Sequence, residues 1–182
     1  MGSIPFSIIV SKLKGINLLE HGSKNAGATN VYRLLGLKYA ILVFLLDASK
    51  GLLGIYLSQQ LNPENHLLIM LSGLAVIIGH TFTPFLKFKG GKGVATGLGI
   101  LIGLTPLIAL IGFICASTII ITTRVVSVAS ITTSLLVVAL ALTPVFAVPL
   151  LYKIFISIAV AYIIYRHLPN IKRILKGTEN RV

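Results

Sequence analysis

One candidate for chemistry is a run of small and polar residues, Gly22–Asn30, followed by Arg33. Glycines allow backbone conformations in which several N–H groups point at one place and bind an anion, and an arginine can hold two phosphate oxygens at once. The alternative is a turn in which Thr29 or Asn30 caps a helix that starts near Val31. A cap accounts for one or two of the nine residues. The run therefore predicts an anion site with these contributors: Gly22, Ser23, Asn25, Thr29, Asn30 and Arg33.

A second candidate is the stretch Gly79–Thr96, which ends in the glycine-rich sequence Lys-Gly-Gly-Lys-Gly and then an apolar segment. A glycine-rich loop that opens a helix presents free N–H groups and the positive end of the helix dipole to an anion. It differs from a nucleotide-binding P-loop, because Gly-Lys-Gly replaces Gly-Lys-Ser/Thr and an earlier required glycine is missing. The glycines that continue to Gly103 are typical of close helix packing in membranes. The stretch predicts these substrate-binding residues: His80, Lys89, Gly90, Gly91, Lys92, Gly93 and Thr96.

A third polar stretch, Arg166–Glu179, contains His167 and Asn170. Taken alone, it would suit a basic tail that binds anionic lipid headgroups. In company with the other two stretches, it predicts that His167 and Asn170 belong to the same site. His80 and His167 are candidates for a proton acceptor or a phosphate donor, and helix packing is the alternative for His80.

Other reactive groups are scarce. The chain has four Asp and Glu residues in all and one cysteine, Cys115, inside an apolar run. The sequence contains neither a pair of carboxylates for acid–base work nor a cluster of metal ligands, so no metal and no cofactor are expected. Asp47 lies within an apolar segment and is expected to pair with a cation there, with Lys50 on the same helix face.

Composition places the elements that carry these stretches in a membrane. The 182 residues are 55% apolar and 11% charged, with a mean hydropathy of +0.96, whereas soluble domains carry about 25% charged residues. Sixteen Lys and Arg against four Asp and Glu give a formal charge of +12. Such an excess can serve nucleic acid, a membrane surface or an anionic substrate. Here the cations lie in short loops between apolar runs, as the positive-inside rule predicts, so we expect membrane lipids and no nucleic acid as partners. The length allows one domain, residues 1–182.

Apolar runs and charged loops predict the topology. A spanning helix needs about 20 apolar residues, so the first run is short. Pro106 interrupts the fourth run, and its 26 residues Gly97–Thr122 cannot make two full spans, so a half-helix is expected there. We predict an all-α integral membrane protein with about seven membrane segments, the N-terminus outside and the active site at the cytoplasmic face; five spans is the alternative. The apolar runs are Ile4–Val10, Tyr39–Leu57, His66–Leu86, Val94–Thr122, Val125–Ala147 and Leu150–Tyr165.

Together the three polar stretches resemble the acyl-phosphate:glycerol-3-phosphate acyltransferase family (the PlsY family), and the resemblance covers essentially the whole chain, including Gly2–Phe6. It implies seven helices in the bacterial plasma (inner) membrane, cytoplasmic motif loops and no cofactor. It also implies transfer of an acyl chain from acyl-phosphate to glycerol 3-phosphate, which gives lysophosphatidic acid and phosphate for phospholipid synthesis. By the same resemblance, five residues surround the phosphates and the reacting centre: Ser23, Arg33, Lys92, His167 and Asn170.

Three features depart from the family pattern. The chain begins at the Gly-Ser-Ile-Pro that normally lies midway through the first helix. Lys24 stands where a glycine is common, and Pro84 lies one position later than the usual proline after Gly-His.

The implied chemistry agrees with the residue types. Cations in a partly dry site stabilise charge that develops on the acyl oxygen and the leaving phosphate. Because carboxylates are scarce, we hypothesise that the substrate hydroxyl attacks directly and that a substrate phosphate assists its deprotonation. Two other classes of protein are alternatives. A transporter of phosphate or an organic anion is disfavoured, since the sequence shows no inverted repeat and the motifs fall on one side. A non-catalytic lipid-binding protein leaves the Gly-Ser-Asn-Thr run without a role.

Overall fold

The computed structural model describes all 182 residues, and it is helical throughout, with no β-strand. The nine α-helices are α1 (Phe6–Lys12), α2 (Ala28–Leu35), α3 (Leu37–Leu61), α4 (His66–Thr81), α5 (Val94–Leu104), α6 (Pro106–Thr123), α7 (Val126–Leu142), α8 (Leu150–Arg166) and α9 (Leu168–Leu175). Two short turns of 3-10 helix, Pro84–Leu86 and Pro144–Phe146, follow α4 and α7.

The apolar runs of the sequence become seven of these helices, α1 and α3 to α8, which confirms the all-α class. Three stretches are long and apolar enough to cross a membrane: Leu37–Leu61, His66–Leu86 and Pro106–Thr123. A fourth is added if α8 and α9, which meet at a bend of 55°, form one broken span. The helices α5 and α7 are apolar but shorter, so the count of seven crossings stays a prediction.

The predicted break at Pro106 is present. Helix α5 ends at Leu104 after 11 residues, and Pro106 is the first residue of α6. Proline disfavours a helical conformation in the residue before it, and Thr105 accordingly leaves the helix, with φ −147° and ψ 71°. Proline itself is tolerated in the first turn of a helix, where its missing N–H has no partner to lose. The result is the half-length helix that the sequence predicts.

Small residues hold α5 tightly against α3. A Cβ added to Gly99 would lie 1.8 Å from the backbone oxygen of Ala48, and one added to Gly51 would lie 2.2 Å from the oxygen of Thr96. Close approach of backbones through small residues is the usual way in which helices associate in membranes. Of the glycine series in this segment, Gly99 packs in this way and Gly103 packs against the Ile55 side chain, whereas Gly97 has only Ile163 within 4 Å.

Two clusters of buried apolar side chains support the fold. The larger one contains residues from every helix from α3 through α8, including Ile55, Ile108 and Phe155. The smaller one lies under the first polar stretch, where Leu18 and Val31 are almost fully buried with neighbours from α1 and α3. The smaller cluster fixes the position of the short helix α2.

A matched pair of substitutions on α5 tests this packing. Gly99→Ala forces α5 away from α3, and overpacking of this kind costs about 1–3 kcal/mol. We expect Gly99→Ala to lower the unfolding temperature in detergent. Gly97→Ala, two residues away on the same helix, meets nothing closer than 3.7 Å and should leave the unfolding temperature unchanged. Equal unfolding temperatures for the two variants would contradict the close α3–α5 contact.

Candidate active site

The three polar stretches meet at one end of the helix bundle, around a cavity of about 1000 Å³. Its polar end is formed by α2, the start of α5, the end of α8 and the beginning of α9. From there it continues between α5, α6, α7 and α8, where its walls are mainly apolar, with hydroxyl side chains on the α7 face. Six cationic side chains line the cavity, against two carboxylates, Asp47 and Glu179. The cations are Lys24, Arg33, Lys92, Arg124, Arg166 and Arg173.

Asn30 organises the first polar stretch. Its amide oxygen accepts a hydrogen bond from the Ser23 N–H at 2.8 Å, and its amide nitrogen donates to the oxygens of Leu18 and His21, each at 3.1 Å. The alternative interpretation of this run, a helix cap at Thr29 or Asn30, is wrong, because α2 begins at Ala28, after Gly27, and has no side-chain cap. Asn30 instead pulls the preceding loop onto the helix, and the N–H groups of Ala28 and Thr29 make no backbone hydrogen bond.

Left-handed backbone shapes this loop. Gly22 has φ +61°, and a Cβ there would lie 2.3 Å from the Asn30 amide oxygen. Lys24 has φ +56°, a conformation that glycine adopts freely and that other residues seldom adopt. This geometry explains why a glycine is the easier residue at position 24. The Lys24 side chain is exposed and adds a positive charge at the rim of the cavity.

The glycine-rich loop is pressed against the end of α4. A Cβ on Gly90 would lie 2.1 Å from the His80 oxygen, and one on Gly91 would lie 2.3 Å from the His80 Nε2 atom. Gly93 has φ +87° and leads directly into α5. The N–H groups from Gly91 to Thr96 make no backbone hydrogen bond. Together with α2, this loop directs a second helix N-terminus to the polar end of the cavity.

Asn170 connects the second and third stretches. Its amide oxygen accepts a hydrogen bond from Lys92 Nζ, and its amide nitrogen donates to the Glu179 carboxylate at 2.6 Å. Glu179 also accepts from Ser127 Oγ at 2.8 Å and from Arg173 Nε at 2.6 Å. Burial alone would raise the pKa of Glu179, but the hydrogen bonds from Asn170, Arg173 and Ser127 outweigh it and lower that pKa. The carboxylate is thus a fixed anion that orders the surrounding donors.

Burial sets the protonation of Lys92 and His167. Burial is the largest cause that lowers the pKa of Lys92 to about 8; the neighbouring arginines, including Arg33, act in the same direction, and Glu179 opposes them. Burial and the charge of Lys92 lower the pKa of His167 to about 4. The His167 Nδ1 atom lies 2.8 Å from the Ile163 oxygen. Because a carbonyl only accepts, Nδ1 carries the proton, and Nε2 of the neutral ring is left as an acceptor.

Arg33 approaches the same end of the cavity from α2. Its Nη2 atom donates to the Asn180 oxygen at 3.3 Å, while its buried Nε has no hydrogen-bond partner. Burial lowers the pKa of Arg33 from its usual value, and Glu179 counteracts this effect. An arginine with an unused donor beside Lys92 is well suited to grip an oxyanion.

The predicted pairing of Asp47 with Lys50 is confirmed; Asp47 lines the cavity, and Lys50 lies behind it. Lys50 Nζ is 2.6 Å from Asp47 Oδ1 and donates to the Ile4 oxygen at 3.1 Å. His80 Nδ1 is 3.7 Å from the same Asp47 oxygen. The ring of His80 therefore lies between the buried ion pair and Gly91. Through His80, the pair on α3 is connected to the loop that carries Lys92.

The structure brings ten of the fifteen predicted site residues to the cavity wall. Among the other five, Lys89 and Gly22 are exposed. Gly90 and Gly91 are buried where the glycine-rich loop contacts His80. Thr96 is fully buried, and its carbonyl faces Gly51. The ten at the wall are Ser23, Asn25, Thr29, Asn30, Arg33, His80, Lys92, Gly93, His167 and Asn170.

Several lining residues were not predicted as part of the site. Arg166 donates to the Gly90 oxygen at 3.1 Å and to the Tyr162 hydroxyl at 3.0 Å. On α7, three buried serines at helical spacing face the cavity: Ser127, Ser130 and Ser134. Polar residues that recur every three or four positions in an apolar helix indicate a polar face, so this pattern could have identified them.

Fold and site together define an integral membrane protein whose cavity has a cationic end and a mainly apolar interior. The family model described as glycerol-3-phosphate acyltransferase matches residues 1–177. The chain therefore belongs to the glycerol-3-phosphate acyltransferase family.

Individual relatives agree with this assignment. The chain is 41% identical to a glycerol-3-phosphate acyltransferase of Fusobacterium nucleatum, with 100% of this chain and 92% of the relative covered. It is also 41% identical to one from Aquifex aeolicus, with 100% and 93% covered. Crystal structures of PlsY, an integral membrane glycerol 3-phosphate acyltransferase, superpose closely. The glycerol 3-phosphate form has a TM-score of 0.93 at 40% identity, covering 100% of this chain and 90% of that one. The lysophosphatidic acid form has 0.91 at 39% identity, covering 99% and 89%.

The buried ion pair gives a stability prediction. Asp47→Ala leaves the Lys50 ammonium buried without its counter-charge, and breaking a buried pair costs about 3–5 kcal/mol. We expect a clearly lower unfolding temperature in detergent. The double variant Asp47→Leu with Lys50→Met replaces both charges by apolar groups and should recover much of the loss. A double variant no more stable than Asp47→Ala would show that the ion pair is not the reason for the loss.

Proposed function

We propose that this chain transfers the acyl group of an acyl-phosphate to glycerol 3-phosphate, forming lysophosphatidic acid and inorganic phosphate. The observation that carries the proposal is one continuous cavity with a cationic end and an apolar interior. An acyl-phosphate has the same division, since a charged phosphate is joined to a hydrocarbon chain. Membership of the family supplies the acceptor.

The polar end of the cavity offers enough donors for two phosphates. Two helix N-termini, at Ala28 and Val94, provide N–H groups without backbone partners, and Arg33 and Lys92 provide positive charge. We assign glycerol 3-phosphate and the phosphate of the acyl donor to this end. Ser23 and Asn170 act as polar ligands there, and Ser23 is not a covalent nucleophile.

The reaction needs no protein nucleophile. The substrate hydroxyl attacks the acyl carbon, a new ester bond forms, and the bond from that carbon to the phosphate oxygen breaks. The hydroxyl proton passes to the departing phosphate, which is the better acceptor because His167, with a pKa of about 4, is a weak base. His167 Nε2 accepts a hydrogen bond from the hydroxyl and orients it. Lys92 and Arg33 stabilise the negative charge that develops on the acyl oxygen and the phosphate.

The distribution of lysines and arginines indicates on which side of the membrane the site lies. The loops that carry the three polar stretches contain most of the lysines and arginines, and such loops face the cytoplasm. We place the site at the cytoplasmic face of the bacterial plasma membrane, where glycerol 3-phosphate is available. Seven membrane segments, with α1 and α5 too short for a full span, agree with this orientation.

Activity in a lipidic environment tests the proposal. With acyl-phosphate and glycerol 3-phosphate, the chain should release phosphate and form lysophosphatidic acid, and acyl-CoA should not replace the donor. Lys92→Ala and Arg33→Ala should each lower kcat/KM about 10²–10³-fold, the usual effect of removing one donor to transition-state charge.

Lys87→Ala is the matched control, because Lys87 is an exposed lysine of the same loop that does not line the cavity. It should keep the parent activity. Turnover of acyl-CoA would refute the proposed donor. Uptake of a labelled anion into liposomes without any ester product would favour a transporter.

The low pKa of Lys92 predicts a pH dependence. With a pKa of about 8, Lys92 in the free protein is charged below pH 8 and loses its proton above it. Since only the charged form attracts phosphate, kcat/KM for glycerol 3-phosphate should fall as pH rises through about 8. Lys92→Arg stays charged over this range, so its decline should be absent or shifted to higher pH. The same decline in both proteins would assign the titration to another group.

A further inference from the structure

The apolar part of the cavity has a defined floor. On each of four helices, the lining residue farthest from the polar end marks the floor. These residues are Leu101 of α5, Ala109 of α6, Val137 of α7 and Phe155 of α8. Ala109, Val137 and Phe155 are 2%, 3% and 4% exposed. The end of the Phe155 ring packs on Gly73, 3.1 Å from the position of a Cβ there. The floor is therefore made of side chains that are themselves held in place.

Below the floor the bundle is filled. The buried cluster that contains Val137 and Phe155 continues with Ile108, Ala141 and Tyr152, none of which reaches the cavity. The cavity thus ends against packed side chains and does not pass through the protein.

The depth of the cavity matches one leaflet of a membrane. Ser127, which binds Glu179 at the polar end, and Val137 at the floor are ten residues apart on α7. That separation corresponds to about 15 Å along an α-helix, which is half of the roughly 30 Å hydrocarbon core of a bilayer. A lipid acyl chain has the same length scale, since two opposed chains fill that core.

Small residues keep the space open above the floor. On α6 the cavity is lined by Ala109, Gly112 and Ala116, one helical turn apart from each other. A Cβ on Gly112 would lie 3.2 Å from a methyl group of Val137. Larger residues on this face of α6 would close the channel between α6 and α7.

We propose that Ala109, Val137 and Phe155 form a stop that sets the longest acyl chain this protein accepts. The inference rests on the proposed function, in which the acyl chain of the donor lies in this cavity. A chain that fits is buried to its last carbon, and a longer chain must leave methylene groups displaced toward the polar end or out of the cavity. Each methylene that is not buried weakens binding, so discrimination increases with every carbon beyond the limit.

Two substitutions of opposite size test the stop. Ala109→Leu raises the floor and should reduce kcat/KM for stearoyl and palmitoyl phosphate relative to lauroyl phosphate by about tenfold, the effect of about two unburied methylene groups. Phe155→Ala lowers the floor and should shift the preference toward longer chains. If Phe155→Ala does not fold, Val137→Ala makes the same prediction with a smaller change. A merely structural disturbance would not move chain preference in opposite directions.

The control is Ala139→Leu, the same change at an exposed position of α7 near the depth of the floor. Its chain preference should equal that of the parent. An unchanged preference in both Ala109→Leu and Phe155→Ala, with activity retained, would overturn the proposal and place the acyl chain on the outer surface of the bundle.

A binding measurement separates this proposal from the proposed reaction. Lysophosphatidic acids of lauroyl, palmitoyl and stearoyl length should raise the unfolding temperature of the parent protein, and Ala109→Leu should lose the effect of the longer two only. If acyl-phosphate is not turned over but this pattern is found, the donor assignment fails and the stop stands. If stabilisation by every chain length is equal in parent and variant, the stop fails whatever the activity.

Discussion

The structure depends on one constraint, which is that polar backbone groups at the edge of a membrane must find partners. The N–H groups from Gly91 to Thr96 have no backbone acceptor, and neither do those of Ala28 and Thr29. In hydrocarbon each such group would cost several kcal/mol. Both helix starts therefore face a common space into which water or an anion can enter. The broken helix α5, the tight turn at Gly93 and the stacking of Gly90 and Gly91 on α4 together hold the backbone of residues 92–95 at that space.

The same constraint separates the two ends of the cavity. The cations gather at the polar end, where Arg173 donates to Glu179 and Lys92 is linked to Glu179 through Asn170. The interior is lined by side chains such as Ala116 and Val160. Buried charge behind the loop is paired, as in Asp47 and Lys50. The acyl donor that we propose, a single chain with a phosphate head, would match these surroundings along its length, with its carbonyl at the boundary, where fixed dipoles stabilise developing charge.

Much of this could be predicted from the sequence, because the relevant patterns are local. Apolar runs predicted the helices, Pro106 predicted the break after Leu104, and spacing of one turn predicted the pairing of Asp47 with Lys50. Three polar stretches predicted one site, and ten of their residues line it. Other features depended on packing between distant segments. Asn30 binds a loop instead of capping a helix, Thr96 faces away from the cavity, and Ser127 reaches Glu179 only because α7 and the C-terminal segment are adjacent in space.

Asn30 also affects how the site opens. The Asn30 side chain binds Leu18, His21 and Ser23 to the first turn of α2. The loop therefore cannot detach from α2 unless Asn30 loses these hydrogen bonds. Segments linked in this way unfold as one cooperative unit. Amide exchange in the loop and in α2 should therefore share a single opening free energy, although the loop itself has little regular structure. The backbone at Ala28 thus gains order from a residue whose side-chain hydrogen bonds all go to the preceding loop.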